Sequence, residues 1–96
     1  MPDRKVVIVT GAGRGIGREI ALQATRKSYA VIAVSTTKTY LDDLCAQVTR
    51  DGGTCVPVVL DVTAADAPER IVAVAQARFG RIDVLINNAG YATPGA

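Results

Sequence analysis

The stretch Thr10-Gly11-Ala12-Gly13-Arg14-Gly15-Ile16-Gly17 decides how this chain is read. It follows the apolar run Lys5–Val9 and leads into a segment whose apolar residues Ile16, Ile20, Ala21 and Ala24 share one helical face. A glycine-rich turn from strand to helix lets backbone approach a ligand, and the helix start presents unpaired N–H groups and a positive dipole end to a phosphate. The spacing then selects the kind of site. A Walker loop needs its second glycine five residues after the first, followed by Lys, but counting from Gly11 or Gly13 reaches Ile16 or Arg18. The common dinucleotide fingerprint G-x-G-x-x-G also ends on Ile16. The pattern that fits is T-G-x-x-x-G-x-G, through Thr10, Gly11, Gly15 and Gly17.

Downstream of this turn, short apolar runs alternate with helical periodicity. Val and Ile number 20 against five Leu, and they cluster as strands buried on both faces of a parallel sheet do. The runs are Lys5–Val9, Ala30–Ser35, Thr54–Leu60 and Asp83–Ile86. Between the later ones, Leu41, Leu44, Cys45 and Val48 form one helical face, and Ile71, Val74, Ala75 and Arg78 or Phe79 another. Thr39 with Asp42, and Asp66 with Glu69, read as capping pairs, with Pro68 tolerated in a first turn. Gly52-Gly53 and Gly80 supply left-handed exits for the second and third helices. The first helix has no such glycine: its exit is Lys27-Ser28-Tyr29, which predicts an unusual conformation at Ser28. The order β-α-β-α-β-α-β calls for a Rossmann-type, doubly wound α/β sheet with strand order 3-2-1-4.

In that order the first and fourth strands flank the switch point where ligands bind. The fourth strand runs into Asn87-Asn88-Ala89-Gly90, which as a lone tetrapeptide is an ordinary turn signal but here faces the glycine loop.

On T-G-A-G-R-G-I-G at 10–17, L-D-V at 60–62 and N-N-A-G at 87–90, the sequence resembles the short-chain dehydrogenase/reductase family over nearly its whole length. The resemblance implies that Gly11, Gly15 and Ile16 line the cofactor pyrophosphate and that Gly17 permits close helix packing. It implies that Asp61 accepts from the adenine amino group with Val62 beside the ring, and that Asn88, Ala89 and Gly90 meet the ribose on the nicotinamide side. Asn87 is expected to tie neighbouring strands together. The competing reading of Asp61 is a strand-end carboxylate closing a turn.

NAD enzymes commonly carry an acid at the end of the second strand to hold the ribose 2′-OH. This chain has Val34-Ser35-Thr36-Thr37-Lys38 there, with no carboxylate to repel a 2′-phosphate. Arg14 in the loop, hydroxyls of Ser35 and Thr36, and Lys38 nearby favour NADP over NAD, although NADP-preferring members often carry Arg where Thr36 stands.

Family members transfer hydride between nicotinamide and a carbonyl or alcohol while a Tyr moves the proton, a Lys four residues later lowers its pKa and a Ser orients the substrate oxygen. Four residues after Tyr29, Tyr40 and Tyr91 stand Ala33, Leu44 and Gly95, so no catalytic residue is carried over. The expectation is that residues 1–96 are the cofactor-binding half of one Rossmann-type domain, without the C-terminal catalytic half. Alone, it should bind dinucleotide weakly or not at all and show no turnover. The alternative is a non-catalytic dinucleotide-binding or partner-binding module. A sugar epimerase is a third possibility, against which N-N-A-G argues. Oxoacyl, sugar or polyol, and steroid substrates all stay open, and the resemblance implies a homo-oligomeric full-length protein.

Composition narrows the remaining choices. The absence of His removes imidazole acid–base and metal chemistry. Cys45 and Cys55 form no C-x-x-C motif and read as packing residues in a reducing, cytoplasmic setting. A net charge of +2 gives no footprint for nucleic acid, and the apolar run Tyr29–Val34 is far short of the ~20 residues a membrane span needs.

Overall fold

The computed structural model describes residues 4–88. Its elements are β1 (Val6–Thr10), α1 (Gly15–Arg26), β2 (Ala30–Ser35), α2 (Lys38–Arg50), β3 (Thr54–Val59), α3 (Ala67–Arg78) and β4 (Val84–Asn87). The strands form one parallel sheet of order β3-β2-β1-β4, as the sequence pattern predicts.

The central strands are apolar throughout because each successive side chain meets a different helical layer. Val6 and Ile8 of β1 and Ala30, Ile32 and Val34 of β2 pack with Ala67, Ile71 and Ala75 of α3. Val7 and Val9, with Val31 and Ala33, pack on the other face against Ala21 and Leu22 of α1 and Leu41, Leu44 and Val48 of α2. Two thin cores therefore sandwich β1 and β2, and the carboxyl ends of both strands point to one rim.

Helix exits follow the predicted punctuation. Gly52 (φ 83°) and Gly80 (φ 75°) adopt left-handed backbone after α2 and α3. After α1 the same role falls to Ser28, at φ 71°. Its N–H donates to the Thr25 carbonyl and that of Tyr29 to Ala24, both 3.0 Å, the two bonds of a Schellman close. The turn geometry is thus imposed on a residue with a Cβ.

Neither expected capping pair makes a side-chain cap bond, and only the second lies where the sequence places it. α2 begins one residue before Thr39, with Thr37 at its N-cap and no side-chain cap bond. The Ser35 hydroxyl accepts the Thr37 N–H at 3.2 Å, so the chain turns earlier than the Thr39–Asp42 spacing predicts. Asp66 does occupy the N-cap of α3, but its φ −97° and ψ 9° depart from the extended backbone that lets a cap carboxylate reach back, and it makes no cap bond.

At the other edge, Asp83 clamps β4 to β1. Its carboxylate accepts the Val6 N–H at 2.8 Å and Arg81 Nε and Nη2 at 2.8 and 2.7 Å, while its own N–H donates to the Val6 carbonyl at 2.9 Å. These bonds hold its carboxyl below the usual carboxylate range, the Arg81 side chain contributing most. β4 carries an exposed Leu85, and no helix among the described residues is long and apolar enough to cross a membrane.

Candidate functional site

The glycine turn is fastened to β2 and β4 at once. Ala12 N–H donates to the Val34 carbonyl at 3.0 Å, which holds the turn against the end of β2. Thr10 is the one buried polar residue among those described. Its hydroxyl accepts the Asn88 N–H at 3.0 Å and lies 3.2 Å from Asn87 Oδ1. Asn87 is also the β-ladder partner of Thr10, the strand-tying position that the family resemblance implies. Asn88 Nδ2 then donates to the Gly11 carbonyl at 3.3 Å.

Glycine at position 17 is a packing necessity. A Cβ there would lie 2.1 Å from the Gly11 carbonyl oxygen and 2.7 Å from Asn88 Nδ2. The absence of that Cβ lets the first turn of α1 sit directly on the glycine turn, as the helix start of a phosphate cradle must. Gly11 and Gly15 have φ of 64° and 63°, so the bend into α1 runs through left-handed backbone on both sides of Gly13. Gly13 is buried, and a Cβ on it would meet Ser35 Oγ and Tyr40 Cβ at 2.9 Å each.

Five of the predicted site residues converge on one cleft of about 240 Å³ at the carboxyl ends of the strands: Gly11, Ser35, Thr36, Asp61 and Val62. Val34 and Leu60 add apolar wall, and the Leu60 N–H donates to the Ser35 carbonyl at 3.0 Å, which closes the floor between β2 and β3. Asp61 is exposed, and its Oδ1 accepts both the Thr63 N–H at 2.9 Å and the Thr63 hydroxyl at 2.7 Å. Those two bonds hold its carboxyl below the usual range. The turn-closing role and a rim position on the cleft are therefore combined in one residue.

The other predicted site residues among those described, Arg14, Gly15, Ile16 and Asn88, do not line this cleft. Arg14 is the N-cap residue of α1, with extended backbone and an exposed side chain whose guanidinium lies 5.4 Å from the centroid of the Tyr40 ring. Lys38 is held by Asp42 at 2.7 Å, one turn along α2. The Ile16 side chain is 73% exposed and borders a separate apolar groove with Ile20, Val84 and Ile86. Ala89 and Gly90 lie outside the described residues. Thr10, Gly13 and Tyr40 carry geometry that the motif alone does not reveal. The available signal for Thr10 is a lone hydroxyl at the end of an otherwise apolar strand.

A cleft with apolar walls and a carboxylate at its rim thus lies beside a glycine turn on a helix N-terminus, the kind of helix start at which phosphates bind. Residues 5–96 match the family model described as short chain dehydrogenase. The chain belongs to this family.

Relatives in the short-chain dehydrogenase family share the same region. The chain is 38% identical over 90 residues to a probable oxidoreductase of Mycobacterium tuberculosis, spanning 94% of this chain and 15% of that protein. It is 40% identical over 88 residues to a 3-oxoacyl acyl-carrier-protein reductase of Thermotoga maritima, spanning 92% of this chain and 36% of the relative. Among solved structures, an actinorhodin polyketide ketoreductase variant with NADPH superposes with a TM-score of 0.90 at 32% identity, over 100% of this chain and 37% of that one. The chain thus spans little more than a third, or less, of these proteins' lengths.

Proposed function

We propose that residues 1–96 form the N-terminal, cofactor-binding part of a longer NADP(H)-dependent oxidoreductase acting on a carbonyl or alcohol. The observation that carries this is the convergence of Gly11, Ser35, Thr36, Asp61 and Val62 on one cleft, beside a helix start that Gly17 brings onto the Gly11 carbonyl. In this reading the N–H groups of Gly11, Gly15 and Ile16 hold the pyrophosphate. Asp61 and Val62 orient the adenine. Ser35, Thr36 and Arg14 receive the 2′-phosphate, and Asn88, Ala89 and Gly90 position the nicotinamide ribose. When bound, nicotinamide supplies hydride transfer. The ketoreductase that superposes on this chain was solved with NADPH, which supports NADP.

The proton-transfer residues belong to the rest of the protein. The exposed Leu85 leaves an apolar side chain uncovered on β4, the outer strand among those described, which supports a further part of the protein packing on that face. By likeness to its family the full-length protein is a cytoplasmic homo-oligomer acting on a small molecule, with no nucleic-acid or membrane partner. In this reading residues 1–96 on their own bind dinucleotide weakly or not at all and show no turnover.

Amide shift mapping with millimolar NADP tests the reading. Perturbations are expected at Gly11 to Gly17, Ser35, Thr36, Asp61 and Val62. Shifts centred instead on the cleft at the amino ends of the strands, lined by Arg4, Arg26, Ser28 and Gly53, would contradict it.

A further inference from the structure

We infer that Tyr40 is a positioning residue for cofactor discrimination: its ring is the platform that holds the Arg14 guanidinium where a 2′-phosphate would sit. The inference rests on the NADP reading above and adds a residue from a different element to it. Tyr40 lies in the first turn of α2, 26 positions from Arg14. Its base packs on the glycine turn, since a Cβ on Gly13 would come within 2.9 Å of Tyr40 Cβ and of Ser35 Oγ alike. The Arg14 guanidinium carbon then stands 5.4 Å from the ring centroid, within the range of a cation–π contact, and Nη1 donates a long hydrogen bond of 3.5 Å to the phenol oxygen.

Of Arg14, Arg18 and Lys38, Arg14 is the cation with capacity to spare. Lys38 is paired to Asp42 at 2.7 Å, and Arg18 to Asp43 at 3.2 Å and to Gln47 at 2.8 Å. Arg14 has no carboxylate partner among the described residues, and its contacts with Tyr40 engage the ring and, through Nη1, the phenol oxygen, while the Nε and Nη2 N–H groups stay available to an anion. An exposed Arg side chain loses substantial rotamer freedom when it captures a ligand, and a ring that already restricts it lowers that cost. Tyr40 therefore acts on the 2′-phosphate through Arg14, without touching it.

The test compares 2′,5′-ADP with 5′-AMP, which differ only in the 2′-phosphate, by ligand-observed NMR titration of the whole chain. Wild type is expected to prefer 2′,5′-ADP. Tyr40→Leu should weaken 2′,5′-ADP roughly two- to fivefold, the value of an exposed cation–π contact, and leave 5′-AMP unchanged. Tyr40→Phe should retain wild-type discrimination, because the ring makes the platform and the 3.5 Å bond to the exposed phenol oxygen is too long to add much. The double variant Arg14→Ala/Tyr40→Leu should discriminate no worse than Arg14→Ala alone. Equal weakening of both ligands by Tyr40→Leu, or no effect on either, overturns the role of Tyr40 and leaves the NADP reading standing. A wild-type chain without preference for the 2′-phosphate overturns both. The chemical shifts of the Arg14 δ-methylene protons test the platform with no ligand and no destabilising variant. They should be ring-shifted upfield in wild type and Tyr40→Phe, and random-coil positions in both would overturn the platform.

Discussion

The Asn88 side chain donates its amide to the Gly11 carbonyl, and Gly17 leaves room for that bond by having no side chain. One carbonyl oxygen is thus shared by the end of β4 and the start of α1, and the cleft beside it depends on both. Gly17→Ala places a methyl group against backbone on one side and the Asn88 amide on the other. The expected cost is about 1–3 kcal/mol in unfolding free energy from overpacking, read as a lower urea midpoint. An unchanged midpoint would mean that the turn relaxes freely.

The Asp83 clamp makes stability acid-sensitive. Its carboxyl is depressed in the folded chain by Arg81 and by the Val6 N–H. A depressed folded pKa stabilises above the unfolded carboxylate value of about 3.9, and that contribution disappears as pH falls through the folded value. Urea midpoints for wild type should therefore drop on acidification from about pH 5 to below about pH 3, and Asp83→Asn should be weaker at neutral pH and show a smaller drop. Parallel pH profiles would show that the clamp is energetically silent.

Ser28 holds a conformation better suited to glycine, at φ 71°. Ser28→Gly should stabilise by roughly 0.5–1 kcal/mol, since relief of the left-handed strain exceeds the added freedom of the unfolded chain. Chemical denaturation measures this directly, and a destabilised variant would place the strain elsewhere.

That exit is legible in the sequence because a missing glycine at a forced turn is a local signal. So is the strand order, since Val and Ile runs such as Val6–Val9 and Ala30–Val34 must be buried on both faces, and the glycine turn fixes which ends meet. The caps are not legible. Whether Thr39 or Thr37 begins α2 depends on where the chain leaves β2, and that is set by the Ser35 hydroxyl and by the burial of Leu41. Tyr40 is hidden for a related reason: its meaning lies in a contact with Arg14, and spacing along one helix carries no trace of it.

Cys45 of α2 and Cys55 of β3 have Sγ atoms 3.0 Å apart. The bond between the two thiols lowers the Cys45 pKa, while that same bond and burial push Cys55 upward. With oxidised glutathione, the Cys45 thiolate should attack and release one glutathione thiolate. Cys55 should then lose its proton, displace the second glutathione and leave an intramolecular disulfide, seen as a peptide cross-link by mass spectrometry. A persistent glutathione adduct on Cys45 would show that the two sulfurs do not meet.

The central claim is a cofactor site that reads a 2′-phosphate through Arg14, and the most direct measurement is the ratio of NADP to NAD dissociation constants for wild type and Arg14→Ala. NADP should bind wild type more tightly, and Arg14→Ala should bring the ratio towards one by weakening NADP alone. A ratio that Arg14→Ala leaves unchanged would contradict the account.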